Sequence, residues 1–186
     1  MASRASALEG HYKLGRFGAD GDVGVTLTEV RDLTLQQIAA WPDTLSEVAA
    51  IAAEAVGAAS APGPCRAETG NNGTLLRVEP LKWWVYGTQA PIINDEQGAI
   101  LDLSHARTHL RVSGPNAVDL LKRLFPIDFR EHAFPVNSVA SSTFHHVGTT
   151  LWRSEKGYDL FVPRGYGLSI WESVVETAEQ FGAEVV

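Results

Sequence analysis

The stretch Leu101–Phe125 reads LDLSHARTHLRVSGPNAVDLLKRLF. It sets an acid, a serine and two histidines just ahead of a Gly-Pro pair and an apolar helical pattern. Thr108, Leu110 and Val112 alternate with Arg107, His109 and Arg111, the pattern of a strand with one apolar and one basic face. Gly114-Pro115 then opens a helix, with Gly114 as cap and Pro115 at the first helical position, where its missing N–H costs nothing. Ala117, Leu120, Leu121 and Leu124 follow at i, i+3, i+4 and i+7, and Phe125-Pro126 ends the stripe. Upstream, the apolar residues change sides: Leu101 and Leu103 share one parity, Leu110 and Val112 the other. A strand cannot do that without burying Arg107, so a bulge or kink is expected near Ser104-His105, with the Asp102 or Ser104 side chain bonding a freed backbone N–H.

Working outward, residues 1–22 are polar and glycine-rich and read as a flexible arm. Val23–Val30 alternates and is β-branched, a strand. A short helical turn is expected at Leu35–Ala40, capped by Thr34 and broken at Trp41-Pro42. Thr44-Leu45-Ser46-Glu47 matches a capping box for a helix carrying Val48, Ile51, Ala52 and Ala55, ended by Gly57. Strands are expected at Thr74–Val78, Lys82–Gly87, Val139–Phe144, Gly148–Arg153 and Tyr158–Val162, with a polar turn at Asn94–Gly98. A last helix runs from about Leu168 to Phe181 on Trp171, Val174, Val175 and Ala178, closed by Gly182. TLLRVEPLKWWVYGT from Thr74 and TLWRSEKGYDLFVPR from Thr150 share a pattern, and each follows a strand and helix. The expected fold is therefore α+β: two pseudo-repeated β-α-β-β halves, about 23–100 and 101–186, in one unit.

Composition narrows the function classes. The 186 residues are 45% hydrophobic and 20% charged, a globular balance. A formal charge of -7 argues against nucleic acid, since phosphate affinity comes from dense Lys and Arg, and no polybasic block points to a membrane surface. Cys65 is the only cysteine, which fits a reducing cytoplasm, and MASRASALEGHYKLG has no apolar signal-peptide core. The Ala-rich run 48–59 carries Glu54 and reads as a buried helix, not a span. Asn72-Gly73-Thr74 matches a glycosylation acceptor but reads as a tight turn.

The motif search yields no catalytic, cofactor-binding or metal-binding set. In an extended chain Asp102 and Ser104 face away from His105, against a triad. His105 and His109 would sit about 13 Å apart on a strand, too far to share an ion. Gly18, Gly21 and Gly24 do not match the dinucleotide fingerprint. The stripe Arg107, His109, Arg111 reads as a solvated strand face, with contact to an anionic ligand or an acidic partner surface as the sharper alternative. Of Trp83 and Trp84, one is expected inside; the other either anchors a neighbour or is covered by the chain's own helices.

The residues carry a resemblance. DLSHARTHLRVSGPNAVDLLKRLFPIDF (Asp102–Phe129), Phe134-Pro135 and GYDLFVPRGYGLSIWESVVETAEQFG (Gly157–Gly182) resemble the gamma subunit of bacterial heterotetrameric sarcosine oxidase. Leu75–Gly87 is similar to that family's first-half segment, with Glu79-Pro80-Leu81-Lys82-Trp83 where the family has Gly-Pro-Asp-Glu-Trp. The Asp-Leu-Ser-His and Ser-Gly-Pro-x-Ala block is shared with the wider aminomethyltransferase-like folate-binding superfamily. The motif positions are Asp102, Ser104, His105, Arg107, Gly114, Pro115, Pro163 and Arg164, all carried as structural positions.

The resemblance implies an aminomethyltransferase-like fold and a non-catalytic subunit. Its partners would be alpha, beta and delta subunits in the cytoplasm. The implied complex oxidises sarcosine to glycine, delivers the methyl carbon to tetrahydrofolate, and carries FAD, FMN, NAD and zinc on its other chains. It leaves open the exact N-methylated substrate and whether the isolated chain forms a homo-oligomer. The alternative reading is a stand-alone folate-binding protein of one-carbon metabolism, in which Arg107 or Arg111 would hold the anionic glutamate tail.

Overall fold

Strand pairing, not chain order, partitions this molecule. The computed structural model describes residues 5–186, and the chain divides into two units. One unit holds residues through Arg31 together with Arg107–Val136 and Ser141–Val186; the other holds Asp32–Ala106 and Asn137–Ala140. These units follow strand pairing and do not coincide with the pseudo-repeat halves read from the sequence. The strand β2 (Val25–Glu29) pairs antiparallel with β8 (Arg107–Ser113), Leu27 opposite Val112, so its hydrogen bonds tie it to later elements.

The first unit is built on a seven-stranded sheet. Its strands are β1 (Gly15–Phe17), β12 (Ala183–Val185), β2, β8, β11 (Gly157–Pro163), β10 (Val147–Ser154) and β9 (Val139–Phe144), in that spatial order. Two helices pack on it: α2 (Ala117–Leu124) contacts β2, and α3 (Gly167–Ala178) contacts β11 and α2. The stripe predicted for α2 holds, with Ala117, Leu120 and Leu121 buried. The helix begins two residues later than expected, after Asn116. Gly114 instead sits at φ +104° where a Cβ would meet the Gly24 carbonyl oxygen at 2.7 Å, so only glycine lets these backbones approach.

Over the described part of the expected arm the chain makes packing and pairing contacts; residues 1–4 lie outside the described residues. Leu8 is fully buried, Tyr12 stacks on Trp171 at 5.1 Å, and β1 pairs with β12. The signal was faint because a three-residue strand has no periodicity to read.

The second unit is a five-stranded sheet in the order β4 (Ala67–Thr69), β5 (Thr74–Glu79), β6 (Lys82–Tyr86), β3 (Leu35–Ala40) and β7 (Gly98–Asp102). The helix α1 (Leu45–Val56) covers one face, and Ile38, Val48, Ala52, Val56, Leu75, Trp83 and Val85 form its core. The expected helical turn at Leu35–Ala40 is a strand. Leu35 and Ile38 have helical spacing, but the segment lies between β6 and β7, and pairing on both sides overrides local preference. The capping box does not form: Thr44 makes no side-chain cap bond, its hydroxyl donating to the Gln97 carbonyl at 2.6 Å, while Glu47 accepts from the Gln97 amide. Gly57 ends α1 as expected, left-handed at φ +72°. Trp83 and Trp84 are both buried, at 0% and 5% exposure, so neither is free to anchor a neighbour.

Candidate functional site

The bend expected near Ser104-His105 is a turn between two strands. β7 ends at Asp102, the Ala106 N–H donates to the Leu103 carbonyl at 2.9 Å, and β8 starts at Arg107. Side chains hold the turn in the manner that polar turn residues allow. Asp102 Oδ1 accepts the Ser104 N–H at 2.8 Å. Ser104 Oγ accepts the Leu35 N–H at 3.0 Å and donates to the Leu35 carbonyl at 3.2 Å, clamping the turn to the start of β3. His105 is exposed. Ser104's hydroxyl therefore serves backbone, and Asp102, Ser104 and His105 form no relay.

The other motif positions are scattered by the fold. Arg107 stands opposite Pro163 across the β8–β11 pair, half-buried. Arg164 donates to the Ala5 carbonyl at 2.6 Å. Pro115 lies in the turn ahead of α2.

Within the basic stripe of β8, His109 is buried and Arg111 is only partly exposed, which corrects the reading of a solvated face. His109 is 1% exposed, and Asp159 of β11, fully buried, lies directly opposite Arg111. His109 Nε2 lies 2.7 Å from Asp159 Oδ1. Arg111 donates to the same oxygen from Nε at 2.9 Å and from its terminal nitrogen at 2.7 Å. Ser154 Oγ donates to Asp159 Oδ2 at 2.5 Å, and the Lys156 N–H donates to Ser154 Oγ at 3.2 Å. The His109 ring stacks on Phe161, centroids 4.5 Å apart.

The electrostatics follow from these bonds. Burial alone would raise the Asp159 carboxyl; the bonds from His109 and Ser154 and the Arg111 charge outweigh it and hold it below the usual carboxylate range. Burial dominates at His109 and pushes its imidazole below the ordinary 6.5. With Arg111 already balancing the carboxylate, the consistent state is an ionised Asp159, a charged Arg111 and a neutral His109 whose Nε2–H donates to Asp159. Serine, histidine and aspartate meet here, yet not as a nucleophilic triad. Ser154 bonds the acid and not the imidazole, so no base is placed to take its proton.

Sequence reading missed Asp159 and Ser154. The available signal was the acid inside Tyr158–Val162, an apolar strand where an isolated charge is costly and so demands a partner.

Two surface grooves lie on the first unit. One, of about 250 Å³, is lined by Lys13, Phe17, Trp171, Glu172, Glu176 and Glu179; the other, of about 160 Å³, includes Arg16, Asp20 and Asp22. Their carboxylates outnumber their cations, which does not suit the anionic tail of a folate. Among the described residues no three His, Cys, Asp or Glu side chains gather to hold a metal ion. Among them, too, no helix is long and apolar enough to cross a membrane.

Comparison with known proteins agrees with this architecture. The sarcosine oxidase gamma subunit of Corynebacterium sp. strain U-96 is 28% identical over 152 residues, covering 77% of this chain and 74% of that one. A chain of the heterotetrameric sarcosine oxidase from Corynebacterium sp. U-96, solved in complex with pyrrole 2-carboxylate, superposes with a TM-score of 0.74 at 24% identity. That match covers 89% of this chain and 88% of that one. Glycine cleavage system aminomethyltransferase T from Bartonella henselae gives a TM-score of 0.61 at 12% identity, over 88% of this chain and 48% of that one. The fold is thus α+β and aminomethyltransferase-like. The GCVT N-terminal domain model matches residues 80–186, more than half of the sequence, and the chain belongs to that family.

Proposed function

We propose that this chain is a gamma-type subunit of a heterotetrameric sarcosine oxidase and is not itself catalytic. The observation that carries the reading is the extent of likeness. The relative named as a gamma subunit is matched over 74% of its length in sequence. The aminomethyltransferase is matched over only 48% of its chain in structure. The Asp159 network supports the same reading, because His109 Nε2, Arg111 and Ser154 Oγ are all engaged with the Asp159 carboxylate. On this proposal the companions are alpha, beta and delta subunits in the cytoplasm, and FAD, FMN, NAD, zinc and the tetrahydrofolate acceptor belong to them. Sarcosine is oxidised to glycine on those chains, and this one supplies fold and contact surface.

The test is purification of the tagged chain from its native host. Recovery with three companion chains and sarcosine-dependent oxygen consumption is the expected result. Full assembly and full activity of the companions after deletion of this chain would end the scaffold reading.

Membership in the GCVT N-terminal domain family favours a second reading, a folate-binding protein acting alone. Micromolar calorimetric binding of tetrahydrofolate by the isolated chain would promote it. The acidic lining of these two grooves does not favour such binding there.

A further inference from the structure

The edges of the two sheets are treated unequally. β1 is three residues long and its Arg16 pairs with Glu184; β4 is three residues long and carries Glu68; β9 exposes Ser141 and Thr143. Short length, charge and polar side chains are the ordinary ways of blunting an edge. β7 has one charge, Asp102 at its very end, and is otherwise apolar. It runs five residues, pairs on one side with β3, and is exposed at Ala99, Ile100, Leu101 and Asp102. Ile100 is 40% and Leu101 54% exposed, and no Lys, Arg or Pro interrupts the strand.

We propose that β7 is a strand-addition site for an extended segment of a different chain, apolar at alternate positions and basic at both ends. The outward backbone groups of an edge strand recognise an extended peptide through main-chain hydrogen bonds, and the alternating side chains supply selectivity. Charge chooses the occupant. Exposed Asp95 and Glu96 stand ahead of β7, and exposed Asp102 ends it. Gly98 to Asp102 rises about 13 Å and the acidic turn lies beyond its start, so basic residues about six positions apart would meet both ends. A second copy of β7, laid antiparallel about Ile100, would bring its Asp102 toward Asp95 and Glu96, like charge against like. The Trp41 indole donates to the Asp95 carbonyl at 2.8 Å, which fixes the acidic turn beside the strand. The inference does not rest on the oxidase reading.

The experiment uses the full chain and a nine-residue Val/Thr-alternating peptide with Lys at positions 2 and 8, beside the same peptide with Glu there. Binding is followed by fluorescence anisotropy, and the site by amide hydrogen exchange of residues 98–102. The Lys peptide is expected to bind at least tenfold more tightly than the Glu peptide and to slow exchange in β7. Ile100→Lys with Leu101→Lys, both exposed, is expected to weaken it at least tenfold, circular dichroism confirming the fold. Absence of binding at millimolar peptide, equal binding of the two peptides, or protection elsewhere would overturn the proposal. So would a stable homodimer that Leu101→Lys dissolves, since the occupant would then be a second copy.

Discussion

The β8–β11 pair and the β3–β6 pair are both interior to their sheets, and they solve burial in opposite ways. β3 and β6 bury Ile38, Trp83 and Val85 against α1 in an apolar core. β8 and β11 bury an aspartate and a histidine on one face and bring a partly exposed arginine onto the same carboxylate. An apolar core tolerates small changes in shape with graded loss. A charge network holds only while every partner remains, because one missing member leaves another buried without compensation. The two units should therefore fail differently.

The largest expected effect is in the network. Asp159→Ala strands Arg111 and His109 and should cost about 3–5 kcal/mol, the usual range for breaking a buried pair. Chemical denaturation measures it, and a loss below 1 kcal/mol would mean that the three groups are independently solvated. Trp83→Ala, with the side chain fully buried, should cost a similar or slightly smaller amount, about 3–5 kcal/mol with partial relaxation. Hydrogen exchange should place that loss in β3, β5 and β6. The contrast breaks if either substitution deprotects both sheets equally.

Acid sharpens it further. The folded state keeps His109 neutral below its ordinary 6.5 while the unfolded chain takes up the proton, so stability is lost as pH falls through that value. Asp159, held low, adds loss of the same sign once pH falls below the ordinary carboxylate value of 3.8. One proton sets a slope of at most about 1.4 kcal/mol per pH unit. His109→Asn should flatten the profile between pH 7 and 5. An unchanged slope would assign the pH dependence elsewhere.

A smaller effect is expected at the turn. Ser104→Ala leaves the buried Leu35 N–H without its hydroxyl acceptor and should cost about 1–3 kcal/mol. The smallest is at the β7 edge, where Leu101→Lys should change stability by no more than about 0.5 kcal/mol.

These contrasts also explain what could be read from the sequence. Helices α1, α2 and α3 and the hairpins β5–β6 and β10–β11 were legible because periodicity and turn residues are local. The turn at Ser104 was legible because parity changes across it. β3 was misread because two apolar residues three apart suit either a helix or a doubly paired strand. β1, β4 and β12 are too short to carry a pattern. Sharing of one strand face by His109 and Arg111 was visible; the burial of His109 and the carboxylate that both meet were not. That depends on the register that sets Asp159 against Arg111, a pairing of residues 48 apart in sequence that no local pattern encodes.

The central claim is that the polar cluster of β8 and β11 is an internal network in which a neutral His109 and a charged Arg111 both hold an ionised Asp159. The most direct measurement is the nitrogen-15 NMR titration of the His109 ring in the full chain from pH 8 to 5. The account predicts a neutral ring, protonated at Nε2, unchanged through pH 6.5. A ring that titrates at or above 6.5 and exchanges freely with solvent would contradict it.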